Sequence, residues 1–274
     1  MNWEQFSYLC RVNSSVKLTK TDKLTLSAGA NLNIYHSDGN DSQLAQMLAK
    51  NVISQDEVAA QKSAIYYQCI SDLLTELKFE YTGWLVYLTC VFVFFCLSSS
   101  LYQFFVVPAF VDMYSMHQYP ANHTFDSYFR YWYVPIIVLF VLLGAIVSVS
   151  TKLKSACLLN ELKPFTGLSS LLSPRQLIKN YEAITAILLF PLNSSLNIGA
   201  TTTETEHLNE CEKLGLDARS EFNVLLKQHL KQFNQRVKNF INKLIIIYGV
   251  VIALSIYLFV NAAYHPLFML GDVL

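Results

Sequence analysis

Charge is what this sequence is short of. Of its 274 residues 15% are charged, where soluble domains carry roughly 25%. Acids and bases balance to a formal net charge of zero, so the concentrated basic surface that nucleic acid requires is missing and no nucleic-acid partner is expected. Motifs of catalysis are missing as well: there is no GxSxG, no HExxH, no phosphate loop of the GxxxxGK[ST] type and no CxxC pair. The six histidines, His36, His117, His123, His207, His229 and His265, are scattered. The N-terminus, MNWEQFSYLC, has no basic region ahead of an apolar run, so no cleaved signal peptide is expected. Neither the Met-Asn start nor the GDVL end is a lipidation signal.

The charge is missing above all from three runs: Trp84 to Val107, Trp132 to Ser150 and Leu244 to Ala263. About 20 apolar residues at 1.5 Å rise cross a hydrocarbon core of roughly 30 Å, so each run reads as a membrane span. Trp84 and Tyr102 lie near the ends of the first, where amphipathic rings favour the water–lipid boundary. Pumps and transporters normally place ionisable groups at membrane depth, and these runs hold none. Ser98, Ser99, Ser100, Gly144 and Ser148 are small groups that let helices approach closely.

Lysine and arginine give an orientation. Residues 1–83 carry seven and residues 151–243 carry twelve, while 108–131 carries only Arg130 and 264–274 none. The positive-inside rule then places the N-terminus and the long middle region in the cytoplasm, and the short loop and C-terminal tail outside. Cys10, Cys69, Cys157 and Cys211 fall on the cytoplasmic side and Cys90 and Cys96 in the first span, which suits a reducing compartment without disulfides.

The expected order is a first cytoplasmic helical domain (1–83), a span (84–107), a periplasmic loop (108–131), a second span (132–150), a second cytoplasmic helical domain (151–243), a third span (244–263) and a periplasmic tail (264–274). Residues 1–25 are weakly patterned. Asp41 is placed to cap a short helix ending near Asn51. From Asp56 a longer helix shows Ile65, Cys69, Leu73, Leu77 and Tyr81 at every fourth position, an apolar stripe. Ser173-Pro174 reads as a helix start, with Pro191 as the stop and Asn193 to Gly199 as a turn. Leu226, Leu230, Phe233, Val237, Phe240 and Leu244 form a heptad-like seam in a last helix that runs into the third span. The loop residues Asp112, His117, His123 and Asp126 match no metal-ligand spacing, and Asn122-His123-Thr124 fits a glycosylation sequon. No metal or other cofactor is expected. Glu204, Glu206, Glu210 and Glu212 place four carboxylates within nine residues; this segment and the loop Tyr35 to Asp41 are the candidate partner-facing surfaces.

Two patterns recur. Pro108-Ala109-Phe110 and Pro266-Leu267-Phe268 each follow an apolar run, 158 residues apart (266 − 108). Leu-Asn-Ile occurs at Leu32 and at Leu196, 164 apart (196 − 32). Their common order argues for duplication. The fold expected is therefore all-α: a polytopic membrane protein with three transmembrane helices and two homologous cytoplasmic helical bundles.

This pattern resembles the type II secretion F family, the inner-membrane platform proteins of type IV pilus and type II secretion machines, as a divergent and short member. The stretch around Pro108 and Phe110 resembles the family's motif after the first span. Pro164 and Gly167 resemble its Pro-x-x-Gly turn, and Pro266 and Phe268 with Gly271 its closing motif. The family's Gly-Glu-x-x-Gly is absent from Ser54 to Glu57 and from Gly215 to Ala218. The resemblance implies a non-enzymatic, multi-pass protein of the bacterial inner membrane. Its implied partners are a hexameric assembly ATPase, pilins or pseudopilins, other inner-membrane assembly proteins and further copies of itself. A small transporter or channel subunit is the alternative.

Overall fold

The computed structural model describes residues 1–28, 41–75, 81–117, 123–162, 164–165, 173–196 and 202–271. Among these the chain is helical throughout, with no strand. Among the described residues three helices are long and apolar enough to cross a membrane, which fits a membrane protein. Packing divides the chain into two units, one of residues 1–79 with 149–239 and the other of 80–148 with 240–274.

The first unit opens on α1 (Trp3–Ser14), in the stretch whose sequence shows little pattern. Its start is a capping box: the Asn2 side chain accepts from the Gln5 N–H at 2.8 Å, and Gln5 Oε1 accepts from the Asn2 N–H at 3.0 Å. Phe6, Leu9, Cys10 and Val12 form its buried face. Next come α2 (Lys20–Ala28), α3 (Gln43–Ser54), α4 (Glu57–Tyr67) and α5 (Ile70–Thr75). The cap of α3 is Ser42, whose Oγ accepts from the Ala45 N–H at 3.1 Å; Asp41 instead receives the Met1 ammonium at 2.6 Å. The long helix expected from Asp56 is interrupted at Gln68 and Cys69. Its stripe is corrected too: Cys69 is exposed, and Ala64, Tyr67 and Ile70 face the core. Strict fourth-residue spacing drifts round a helix of 3.6 residues per turn, whereas three-and-four spacing stays on one side.

The second stretch supplies α10 (Arg175–Leu196), α11 (Thr203–Lys213) and the first part of α12 (Ala218–Gly271). Pro174 rather than Ser173 is the last residue before α10, its carbonyl accepting from Leu177 at 2.9 Å. Pro191 does not end this helix but lies inside it; Asn193 to Leu196 of the expected turn are helical, and its residues 197–199 lie outside the described residues. A proline in a helix interior removes a hydrogen bond and costs about 3 kcal/mol. Here α4 supports the site: Ser63 Oγ donates to the Pro191 carbonyl at 3.0 Å, and the Tyr67 hydroxyl to the Leu188 carbonyl at 2.5 Å.

These two stretches, expected as separate bundles, share one core. Tyr67 meets Phe6 and Phe222 with ring centroids 5.3 and 6.2 Å apart, and Tyr66 meets Phe190 and Phe222 at 6.2 and 5.5 Å. The seam of α12 is buried at Leu226, Leu230, Phe233 and Val237 and continues at Ile241 rather than Phe240. The turn after residue 157 locks the stretches together. Asn160 N–H reaches back to the Ser155 carbonyl at 3.0 Å, a Schellman-type ending with Leu159 in the left-handed region (φ 48°). Leu159 bears that conformation while fully buried. Its carbonyl accepts from Ser42 Oγ at 2.8 Å. The Asn160 carbonyl accepts from Gln43 and Leu44 at 2.9 and 3.2 Å, satisfying donors that the start of α3 leaves free. Trp3 Nε1 donates to the Leu158 carbonyl at 3.0 Å.

The second unit contains α6 (Thr82–Leu101), a π-helical turn (Tyr102–Val106), α7 (Val107–His117), α8 (His123–Arg130), most of α9 (Tyr133–Cys157) and the rest of α12. The loop expected over 108–131 is thus largely helical, and α6 runs through Pro108 by way of the π turn. The Val107 N–H bonds the Tyr102 carbonyl, a wider spacing that makes room where the Pro108 ring would meet the carbonyl four residues back. Leu88, Phe92 and Phe95 of α6, Leu139, Leu143 and Ile146 of α9, and Tyr248 and Ile252 of α12 form the three-helix core. Phe94 and Phe105, each 74% exposed, point outward, as lipid-facing side chains do.

Candidate interaction surface

Helix α11 carries the four candidate carboxylates, and its sequence explains its position. Thr202 caps it through a reciprocal pair with Thr205. Glu204 and Glu206 lie in its first turn, where the helix dipole favours negative charge. Only Thr205, Leu208 and Cys211 are buried, one face at three-residue spacing. It ends on Gly215, whose positive φ of 77° closes a Schellman-type turn with Leu216 N–H on the Cys211 carbonyl at 3.0 Å.

The four glutamates separate into two pairs. Glu212 receives a hydrogen bond from the Lys62 ammonium of α4, and that bond raises the pKa of Lys62 above its ordinary value. Glu204 lies 3.7 Å from His229 Nε2 of α12, both largely covered. Glu206 and Glu210 are exposed, four residues apart on the outer face with Asn209 and Lys213. On the same helix His207 Nε2 lies 3.3 Å from Glu221 and 3.6 Å from Cys211 Sγ. Among the described residues, no three His, Cys, Asp or Glu side chains are grouped to hold a metal. The residues presented by α11 are therefore two exposed carboxylates, Glu206 and Glu210, on a helix held by three side-chain pairs, to Lys62, His229 and Glu221, and by the buried Thr205, Leu208 and Cys211. Such a face can bind a cationic surface.

Comparison with known proteins adds no relative. No family model, no curated protein and no solved structure matches the chain.

The other residues singled out in the sequence lie apart from α11. Pro108 is exposed in α7, and Phe110 packs with Tyr102 and Tyr128 against Val107, Phe129 and Ala262. Pro164 is buried beside Phe165, whose ring meets Tyr181 at 5.8 Å. Positions 266 and 268 fall within α12. Gly167, residues 35–40 of the loop Tyr35 to Asp41, the side chains of Pro266 and Phe268, and those of His117, His123 and Asp126 lie outside the described residues. A feature that the sequence reading passed over is a groove beside α2, flanked by Lys20 and Lys23. Its signal was Leu24 and Leu26, two apart in a helix and so on different faces.

Proposed function

We propose that this chain is a non-enzymatic platform protein of a type IV pilus or type II secretion-like machine in a bacterial inner membrane. In this reading it couples a cytoplasmic hexameric ATPase to the extraction and assembly of pilin subunits. The observation that carries it is a recurrence of helix starts. Gln43 and Thr203 open helices 160 residues apart (203 − 43), and Glu57 and Ala218 open the next ones 161 apart (218 − 57). The caps recur with them: Ser42 and Thr202 both accept from the third residue on, and Asp56 and Asp217 precede the second helices. In each half an apolar helix and a Pro-x-Phe follow. This supports two homologous halves, each a helical segment leading to a span, as in the family resembled. The halves differ after that point, since α4 stops at Tyr67 and α12 continues to Gly271.

The N-terminus is taken as cytoplasmic, and Glu206 and Glu210 as the ATPase-facing contact, with Glu204 and Glu212 fixing their helix. Converting Glu206 and Glu210 to Lys is expected to abolish filament assembly while protein level and membrane insertion stay unchanged. Charge at such a face acts mainly through encounter rate and specificity. Normal filaments from the double variant remove this contact. Failure of any ATPase to co-purify with the wild-type chain at low salt counts against the platform reading, and substrate uptake by liposomes holding the chain alone would favour a transporter.

A further inference from the structure

Charge returns abruptly where the apolar runs of α9 and α12 meet the polar part of the chain. After Glu221 every charged residue of α12 is a cation: Lys227, Lys231, Arg236, Lys238 and Lys243. Lys243 stands directly before the run that begins at Leu244, and Lys238 about 9 Å before it along the helix. In α9 the run ends at Ser150, and Lys154 follows about 6 Å further on. Lys154, Lys238 and Lys243 are exposed, and among the described residues no ion pair engages them. Two neighbouring cations are used within the fold. Lys152 lies 3.9 Å from Glu161, and Arg236 donates to the Gln176 carbonyl at 3.3 Å and to Asn180 Oδ1 at 2.9 Å. No further described helix between α9 and α12 is long and apolar enough to cross a membrane, so with all three spanning, these ends lie on one side of it. On that side, within eleven residues of the three apolar runs, Lys78, Lys152, Lys154, Arg236, Lys238 and Lys243 stand against Glu76, Glu80 and Glu161, three positive charges in excess (6 − 3). Within the same distance at the opposite ends, Arg130 stands against Asp112, Asp126 and Asp272, two negative charges in excess (3 − 1).

We propose that Lys154, Lys238 and Lys243 bind the phosphates of anionic phospholipid headgroups, so that the protein gathers such lipids around α9 and α12. The headgroups add about 5–8 Å to each side of a hydrocarbon core of roughly 30 Å. Lys243 falls within that layer, and Lys154 and Lys238 at its edge, where a lysine stem can lie along the helix and bring its ammonium to the phosphate. Lys231 and Lys227, about 20 and 26 Å before Leu244, fall beyond it. The exposed Asn242 beside Lys243 offers an amide donor to the same headgroup. An acidic protein fits less well. Lys238 and Lys243, five residues apart, point about 140° from each other round α12, so one partner surface does not cover both, whereas the headgroups of a bilayer surround a helix that enters it. The inference needs the three spans and not the platform reading.

The test places the full chain in detergent micelles holding equal amounts of phosphatidylglycerol and phosphatidylcholine with the same acyl chains, and counts the lipids that stay bound by native mass spectrometry. On the wild type phosphatidylglycerol should exceed phosphatidylcholine by about tenfold or more at low salt, and by much less at about 0.5 M, where charge is screened. Lys154→Gln, Lys238→Gln and Lys243→Gln should each cut that preference by up to about fivefold, the equivalent of about 1 kcal/mol per lysine, and the triple variant should bind both lipids alike. Arginine at the three positions should keep the preference, because it too binds phosphate. Lys231→Gln, beyond the headgroup layer, should leave it unchanged. Equal binding of the two lipids to the wild type, a preference that survives in the triple glutamine variant, or an equal loss from Lys231→Gln overturns the proposal. Displacement of the lipid by millimolar inorganic phosphate also overturns it, since that marks a site for a soluble anion. Circular dichroism and membrane insertion of each variant, matched to wild type, ensure that a lost preference reports the lysines and not misfolding.

Discussion

Tyr67 gives its phenolic hydrogen to the main-chain carbonyl of Leu188, 121 residues further on, at 2.5 Å. The bond joins α4 to α10 just before Pro191, and Ser63 bonds the Pro191 carbonyl on the same side. A helix–proline defect is thereby tied to the partner helix. Tyr67→Phe is expected to destabilise the protein by about 1–3 kcal/mol, because a buried carbonyl loses its donor. Tyr248→Phe is the contrasting variant: that hydroxyl is buried without a hydrogen-bond partner among the described residues, so its removal should be neutral or stabilising. Denaturant unfolding in detergent, followed by circular dichroism, separates the two; equal losses would refute the assignment.

Ser42→Ala should cost about 1 kcal/mol or more, since Ser42 both caps α3 and donates to the buried Leu159 carbonyl. Asp41→Ala should cost under about 0.5 kcal/mol, its side chain being 74% exposed. The same unfolding measurement ranks them, and the reverse order would return the cap to Asp41.

The first unit should lose stability in alkali. Burial raises the pKa of Cys10, Tyr67 and Tyr181 above the ordinary values of 9.0 for a thiol and 10.0 for a phenol. The folded state then holds its protons at a pH where the unfolded chain has released them. Their contribution is complete below about pH 9 and is lost progressively as pH rises towards the folded-state values. Tyrosinate absorbance near 295 nm should show Tyr67 and Tyr181 ionising only as the unit unfolds, and Tyr181→Phe should flatten the decline. Free ionisation with helicity intact would contradict the burial described.

Reporter fusions after Leu274 and within residues 114–123 should give periplasmic signals, with cytoplasmic signals within residues 202–217. The expectation rests on the lysine and arginine asymmetry. A cytoplasmic signal at residue 274 would reverse the orientation.

The spans were legible because lipid demands long runs free of charge, a requirement that tolerates little disguise. Helix α11 was legible as four carboxylates, yet which of them are engaged was not. Lys62 lies 150 residues from Glu212, and no local pattern encodes that meeting. Pro191 was misread because the rule that proline stops helices is local, while Ser63 and Tyr67 reach it from elsewhere. Helix α1 was missed although Asn2 and Gln5 write its capping box, because its buried face is short and mixed with polar residues such as Ser7. The π turn at Tyr102 follows from Pro108, which the sequence displays, but whether a proline ends a helix or widens it depends on its neighbours.

The turn at Leu159 also has a consequence for synthesis on the ribosome. The start of α3 finds an acceptor for Gln43 and Leu44 at Asn160, and Trp3 finds its own at Leu158. Residues 1–79 therefore emerge with Phe6, Leu44, Leu48 and Tyr67 still lacking part of their cover. At about 5–20 residues per second, the next 80 or so take roughly 4–16 s to appear. They include the first two apolar helices, so the N-terminal segment stays incomplete while those helices are made. A nascent chain stalled before residue 158 should be cut readily by protease within its first 79 residues, and one stalled beyond α12 should not.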